Sequence, residues 1–240
     1  MDNELFSAKC RDFDENYKTI CENIALAAEQ SGRCYEDITL LAATKTVDVS
    51  VINYAHKNGI KVIGENRVQE FLSKEAELDS GLRRQLIGTL QTNKVNKIVG
   101  KVELIQSVDS VKLAKEIDRV SALRSVISDV LVEVNIAYEQ SKSGIDSESL
   151  SELLYNIGEM KNVRVRGLMT LGPVGESDDV KAEYFAKMQK LFIDNSGINV
   201  DNISMDILSM GMSDDYALAI MHGATMVRVG SSLFGKRIYN

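Results

Sequence analysis

Lys45 is the first residue whose surroundings in this sequence suit it to chemistry. It follows the apolar run 38–44, ITLLAAT, and precedes a helix-start pattern at Asp48. A buried strand that ends in an ammonium group places a charge where desolvation is costly. Either a carboxylate pairs with this lysine, or the amine is kept partly neutral and acts as a nucleophile toward a carbonyl. The residue alone leaves both alternatives open.

Two loops near the C-terminus have the composition of phosphate-binding loops. One is segment 208–215, LSMGMSDD, and the other is segment 229–235, VGSSLFG. Hydroxyl groups and exposed backbone N–H groups are suitable phosphate donors, and glycine lets backbone approach a ligand closely. The candidate residues are Ser209, Gly211, Ser213, Gly230 and Ser231. Opposite a lysine at a strand end, the two loops favour a phosphorylated ligand that carries a carbonyl group.

Arg228 is a charged residue inside the apolar run 225–230. It stands two residues before Gly230, so both are expected on the same side of a strand. A guanidinium on the inside of a sheet needs a partner. A carboxylate such as Asp206 is one candidate, and a ring nitrogen of a ligand is the other. Because arginine stays protonated, it would leave that nitrogen an unprotonated acceptor.

The elements that would position these residues alternate along the chain. Apolar residues at steps of three and four predict a helix over the first thirty residues, ending at Ser31-Gly32. Strands are predicted at 38–44, 61–64, 85–88, 103–107, 129–135, 163–169, 203–209 and 225–230. Helices are predicted near 48–58, 67–78, 92–99, 110–125, 147–160, 177–194 and 214–222, with N-caps at Asp48, Asp109, Ser177 and Ser213 and stops at Gly59 and Gly223.

Eight strands joined by helices predict an α/β fold, a (β/α)8 barrel forming one domain over residues 1–240. The helix within 1–31 would pack on the barrel. A doubly wound open sheet is the alternative, and the number of strands favours the barrel. In a barrel, ligands bind at the C-terminal ends of the strands. Lys45 would then point into the mouth, with Ala43 and Leu41 on the same inward side.

Composition limits the partners and the location. The chain has 240 residues, 44% of them hydrophobic, and a formal net charge of −7. The sequence has no stripe of Lys and Arg, so binding to nucleic acid is not expected. The N-terminal segment lacks a signal-peptide pattern and no apolar stretch is long enough to span a bilayer, so a cytoplasmic protein is expected. The three cysteines fit no zinc spacing, and no metal is predicted.

Six segments together resemble the pyridoxal phosphate homeostasis protein family, whose members are cytoplasmic and related to the barrel domain of alanine racemase. Their motifs occur in order at strand ends, and the resemblance covers the chain from about Leu40 onward. Only the N-terminal helix is generic. The segments are LLAATKT at 40–46, GENRVQE at 64–70, IGTLQTNK at 87–94, SKSG at 141–144, RGLM at 166–169, and the stretch 209–235.

The resemblance implies a binding site for pyridoxal 5′-phosphate (PLP). Lys45 would hold PLP covalently as a Schiff base, and Arg228 would donate a hydrogen bond to the pyridine nitrogen. Asn66 and Met169 would line the ring. The phosphate would be held by Ser209, Gly211, Gly230 and Ser231, with Ser213 nearby.

The resemblance also implies a carrier that holds PLP, delivers it to apo-enzymes and influences vitamin B6 and amino-acid pools, without catalytic residues of its own. Alanine racemases pair the lysine with a tyrosine from an added β domain in a dimer, whereas this chain ends at Asn240. Surface packing is the favoured role for Tyr138 and Tyr216. A PLP-dependent racemase or lyase with weak turnover is the alternative, and a phosphosugar enzyme without a Schiff base is a third. A monomer or weak homodimer is expected.

The loop 136–145 follows the fifth strand and would open on the same face as Lys45. Lys142 is a second amine in this loop. One hypothesis is that it accepts PLP transiently during release. The alternative is a solvated loop lysine.

Overall fold

The strands of the protein close into a barrel. The structure is a computed structural model that describes residues 2–136, 143–173, 175–198 and 200–235. The strands are β1 Thr39–Ala43, β2 Val62–Glu65, β3 Arg83–Leu86, β4 Leu104–Val108, β5 Ser128–Glu133, β6 Val163–Met169, β7 Ile203–Ser209 and β8 Met226–Val229. Each strand pairs in parallel with the next, and β1 pairs with β8. The predicted (β/α)8 barrel is confirmed, and the open sheet is wrong.

Helices connect the strands and one more precedes them. The α-helices are α1 Asn3–Gln30, α2 Val49–Lys57, α3 Val68–Lys74, α4 Val111–Arg124, α5 Leu150–Gly158, α6 Asp178–Asp194, α7 Tyr216–Met221 and α8 Ser231–Phe234. Between β3 and β4 the predicted helix at 92–99 is instead a 3₁₀ helix, Thr92–Lys97. Three of its six residues are Thr or Asn, whose side chains compete with the backbone and disfavour α-helix.

Two of the four predicted N-caps are confirmed. The carboxylate of Asp48 and the hydroxyl of Ser177 each accept a hydrogen bond from a backbone N–H in the first turn of their helix. For α4 the cap is Ser110 rather than Asp109. Ser213 is not a cap either, because α7 begins only at Tyr216 and the Ser213 side chain faces another loop.

Two apolar cores fix the positions of the strand ends. Inside the barrel, Leu41 belongs to a buried cluster and Ala43 packs against it, as the alternation along β1 predicted. A larger core lies between the barrel and its helices, and α1 contributes Phe13 and Ile24, which are fully buried. The Phe13 ring stacks on Phe234 with their centroids 5.9 Å apart. Helix α1 thereby packs against the chain that follows β8.

Candidate functional site

A cavity of about 540 Å³ opens at the C-terminal ends of the strands. Its wall includes Ala43 at the end of β1, Glu133 at the end of β5 and Gly230 just after β8. The structure brings six of the predicted ligand-binding residues together here. They are Lys45, Asn66, Ser213, Arg228, Gly230 and Ser231.

Three other predicted residues are packed inside the protein instead of along the cavity wall. Met169 belongs to the apolar cluster inside the barrel. Ser209 is fully buried and hydrogen-bonded to other side chains. Gly211 has a φ of +90°, and a Cβ there would lie 2.5 Å from the Cβ of Ala219. The structure thus places Ser209 and Gly211 away from the cavity wall, and their contacts with a phosphate remain predictions.

Lys45 is half-buried in a tight turn two residues after β1. Its chain neighbour Thr46 has a φ of +64°, which is unusual for a β-branched residue. Among the residues that the structure describes, no carboxylate lies within salt-bridge distance of the Lys45 ammonium group. The ion-pair alternative for Lys45 therefore finds no support among the described residues.

Asn66 reaches the cavity wall because the ends of β2 and β3 approach each other closely. A Cβ on Gly88 would lie only 2.2 Å from the carbonyl oxygen of Asn66. The carbonyl of Gly88 in turn accepts a hydrogen bond of 2.8 Å from the Ser107 hydroxyl. Glycine at position 88 is thus required for the backbone position that brings Asn66 to the cavity.

Arg228 is buried, with a relative exposure of 3%. Its Nη1 donates to the Ser209 hydroxyl at 2.5 Å and its Nη2 donates to the Thr170 carbonyl at 2.8 Å. The alternative that paired Arg228 with Asp206 is wrong. Asp206 is exposed and pairs with Arg166 at 2.9 Å, because it lies on the outer side of β7.

A hydrogen-bonded network of buried polar side chains below the cavity holds Arg228 in place. The Ser209 hydroxyl donates to Gln106 Oε1 at 2.7 Å, and Gln106 Nε2 donates to Gln85 Oε1 at 2.6 Å. Burial lowers the pKa of Arg228 to about 10. The guanidinium nevertheless remains protonated at neutral pH, so Arg228 presents a fixed cation to the cavity.

The two loops after β7 and β8 meet at Ser213. Its hydroxyl oxygen accepts hydrogen bonds from the backbone N–H groups of Gly230 and Ser232, at 3.2 and 3.3 Å. A Cβ on Gly230 would lie 3.2 Å from the Ala43 carbonyl oxygen, so glycine keeps this approach open. Hydroxyl and backbone N–H donors are therefore gathered on the wall that also contains Lys45.

Glu133 lies on the cavity wall but was not predicted as a site residue. It is buried, and its Oε1 accepts a hydrogen bond of 2.6 Å from the Ser143 hydroxyl. Burial raises the pKa of this carboxyl group, while the Ser143 hydrogen bond and the charge of Arg228 oppose the rise. The sequence contained a signal for Glu133, because it is a charged residue inside the apolar run 129–135. The same kind of signal singled out Lys45.

The raised pKa makes a prediction for Glu133→Gln, which keeps an oxygen for Ser143 and removes the charge. A folded-state pKa above the usual 4.5 means that ionised Glu133 opposes folding above that pKa and ceases to do so as the pH falls below 4.5. We expect the variant to be more stable than the wild type at pH 7, by about 1 kcal/mol. The gain should vanish by about pH 4, as urea titrations across this range would reveal. An equal gain at pH 4 and pH 7 would contradict the electrostatic cause.

The tyrosines and the loop lysine complete the predicted candidates. Tyr216 is buried rather than on the surface, and its hydroxyl accepts a hydrogen bond of 3.0 Å from Asn23 of α1. It does not line the cavity. Tyr138 and Lys142 lie outside the described residues, so their hypotheses remain predictions.

Within the described ranges, no group of three or more His, Cys, Asp or Glu side chains could hold a metal ion. No helix in those same ranges is both long and apolar enough to cross a membrane.

Comparison with known proteins places the chain in a family. The family model of the alanine racemase N-terminal domain matches residues 16–238. The chain is 44% identical over 226 residues to the pyridoxal phosphate homeostasis protein of Aquifex aeolicus, covering 94% of this chain and 98% of that protein. It is 36% identical to the protein of the same name from Pseudomonas aeruginosa, covering 94% and 96%.

A solved structure with bound PLP is also similar. It is PipY of Synechococcus elongatus, which is 32% identical and superimposes with a TM-score of 0.77 over 88% of this chain and 100% of that chain. The chain belongs to the alanine racemase N-terminal domain family and, within it, to the pyridoxal phosphate homeostasis proteins.

Proposed function

We propose that the protein binds PLP through Lys45 as a Schiff base, holds it and delivers it to apo-enzymes, and thereby takes part in vitamin B6 and amino-acid homeostasis. The observation that carries the proposal is the convergence of three features in one cavity. They are a lysine with no ion-pair partner among the described residues, a buried arginine, and a pair of loops with phosphate-type donors. The PLP-bound structure of PipY supports it.

The chemistry of the cavity fits the parts of PLP. When bound, PLP supplies an aldehyde that condenses with a primary amine and a ring that withdraws electrons. The Ser213 and Ser231 hydroxyls would bind the phosphate, and Gly230, which has no side chain, would let it approach the loop backbone closely. Asn66 would line the ring. Arg228, which remains charged because its pKa is about 10, would donate to the ring nitrogen and keep it unprotonated.

The expected effect of these residues on reactivity supports a carrier role, although it does not exclude racemisation. An unprotonated ring nitrogen weakens the electron withdrawal on which PLP enzymes depend. The cavity wall contains no tyrosine among the described residues that could serve as a second base. We expect the protein to act in the cytoplasm, as a monomer or weak homodimer.

Glu133 favours one alternative function, a racemase or lyase with weak turnover. It is a buried carboxyl group with a raised pKa on the wall of the same cavity, which are the properties of a general acid or base. The two functions are separated by incubating the PLP-loaded protein with amino acids in D₂O. If the wild type exchanges the α-proton of an amino acid and Glu133→Gln does not, the enzyme is supported.

Delivery is tested by mixing the PLP-loaded protein with a PLP-dependent apo-enzyme and following the activity of the recipient. A trap for free PLP, added in excess, distinguishes direct transfer from release into solution. We expect the activity of the recipient to recover despite the trap. Recovery that the trap abolishes would contradict direct delivery.

The phosphate loops predict a selective effect for Ser213→Ala. The substitution removes a hydroxyl that would bind the phosphate and leaves Lys45 and Arg228 in place. We expect the Kd for PLP to rise by roughly 10-fold, equivalent to about 1.4 kcal/mol, and the Kd for pyridoxal, which has no phosphate, to stay within twofold. Absorbance titrations with both compounds measure this. Ser204→Ala, at the opposite end of β7, is the control, and equal losses for the two compounds would argue against a phosphate contact.

A further inference from the structure

A buried ionic cluster lies behind Lys45, outside the cavity wall. Lys74 of α3 is 8% exposed, and its ammonium group donates to Glu65 Oε1 at 2.8 Å. The same nitrogen lies 3.5 Å from Glu70 Oε1. Glu65, the last residue of β2, is 1% exposed. These three residues, Glu65, Glu70 and Lys74, are called the ionic cluster below.

The ionic cluster binds both chain neighbours of Lys45. The Thr44 carbonyl accepts a hydrogen bond of 2.9 Å from the Lys74 ammonium group. The Thr44 hydroxyl donates to Glu65 Oε1 at 2.6 Å. The backbone N–H of Thr46 donates to Glu70 Oε1. The turn is thus fixed immediately before and immediately after Lys45.

The backbone of the turn needs such support. Thr46 has a φ of +64° in the left-handed region, which a β-branched residue adopts only when its surroundings impose it. Burial of charged groups is costly, and burial raises the pKa of Glu65 despite its contact with Lys74. Well-packed apolar residues often stabilise a fold as well as a buried ion pair does. The cluster is therefore better explained by the geometry that it imposes on the turn than by stability alone.

We infer that Glu65, Glu70 and Lys74 form a positioning unit that holds the backbone of residues 44–46 so that the Lys45 amine is presented to the cavity. None of the three lines that cavity, so they act through Lys45 and not on a ligand directly. The inference rests on the proposed function, because amine position matters only if Lys45 bonds to PLP. It assigns a role to residues on β2 and α3 that the ligand-binding set does not include.

The test compares PLP with pyridoxine 5′-phosphate, which has an alcohol in place of the aldehyde and cannot form a Schiff base. Lys74→Met removes the ammonium group and keeps much of the side-chain volume. If that variant fails to fold because Glu65 is left as an unpaired buried charge, the double variant Lys74→Met with Glu65→Gln removes both charges. Lys101→Met, which breaks an exposed ion pair with Glu75, is the matched control.

We expect Lys74→Met, or the double variant, to raise the Kd for PLP by at least 10-fold and to leave the Kd for pyridoxine 5′-phosphate within twofold. The control should change neither. Equal weakening of both compounds would show a general structural role and overturn the inference. Unchanged PLP binding would overturn it as well.

A second measurement without any cofactor separates this inference from the proposed function. Lys45 in the PLP-free protein is labelled with an amine-acylating reagent, and its labelling rate is compared with that of Lys101 in the same molecule. A released turn should expose Lys45 and raise its relative rate at least threefold in the variants; an unchanged rate contradicts positioning. If the wild type shows no preference for PLP over pyridoxine 5′-phosphate, the Schiff-base proposal fails, and the labelling result still decides whether the cluster positions Lys45.

Discussion

Replacement of Lys45 by alanine should abolish the yellow absorbance band that we expect when PLP is added to the protein. Among the described residues of the cavity wall, the Lys45 side chain supplies the primary amine that can form an imine. The remaining contacts to phosphate and ring would still bind PLP, but more weakly. We expect the Kd, measured by equilibrium dialysis, to rise at least ~100-fold, equivalent to about 2.8 kcal/mol.

A matched lysine shows whether this effect is specific. Lys61 is exposed and precedes β2, so it lies at the opposite end of the barrel from the cavity. Lys61→Ala should keep both the band and the affinity. A band that persists in Lys45→Ala would assign the Schiff base to another amine.

The second large effect is expected for Arg228→Gln. Burial makes the charge of Arg228 unfavourable, since it lowers the pKa from 12.5 to about 10, which corresponds to roughly 3 kcal/mol. Loss of the hydrogen bonds to Ser209 and Thr170 costs a similar amount, at about 1.5 kcal/mol or more each. We therefore expect a change of less than about 1 kcal/mol in the free energy of unfolding, but at least a 10-fold rise in the Kd for PLP.

Urea unfolding and absorbance titration measure the two quantities on the same preparation. Arg164→Gln, which removes an exposed ion pair with Asp129, serves as the control and should leave PLP binding unchanged. If Arg228→Gln bound PLP as tightly as the wild type, Arg228 would not contact the ring. The proposal that Arg228 keeps the ring nitrogen unprotonated would then be wrong.

The sequence was sufficient where one local rule decided the outcome. Lys45 and Arg228 were singled out because each is a charge at or inside an apolar run, and both line the cavity. The same rule applied to Glu133 would have found it. The bounds of β6 and β7 were also predicted to the residue.

The sequence was insufficient where depth along the barrel axis decided the outcome. Met169, Ser209 and Gly211 stand at strand ends, yet all three lie inside the protein, because depth depends on how neighbouring strands are staggered. The sequence allowed Asp206 as a partner of Arg228, but the structure places Asp206 on the outer side of β7. The contacts of Lys74 with the turn around Lys45 join segments thirty residues apart, which no local pattern predicts.

We propose Lys45 as the covalent anchor of PLP. The decisive experiment is to incubate the wild-type protein with PLP, reduce with borohydride and locate the adduct by peptide mass spectrometry. We expect the yellow band before reduction and one stoichiometric adduct, on Lys45. No band and no adduct with excess PLP, or an adduct on another lysine only, would contradict it.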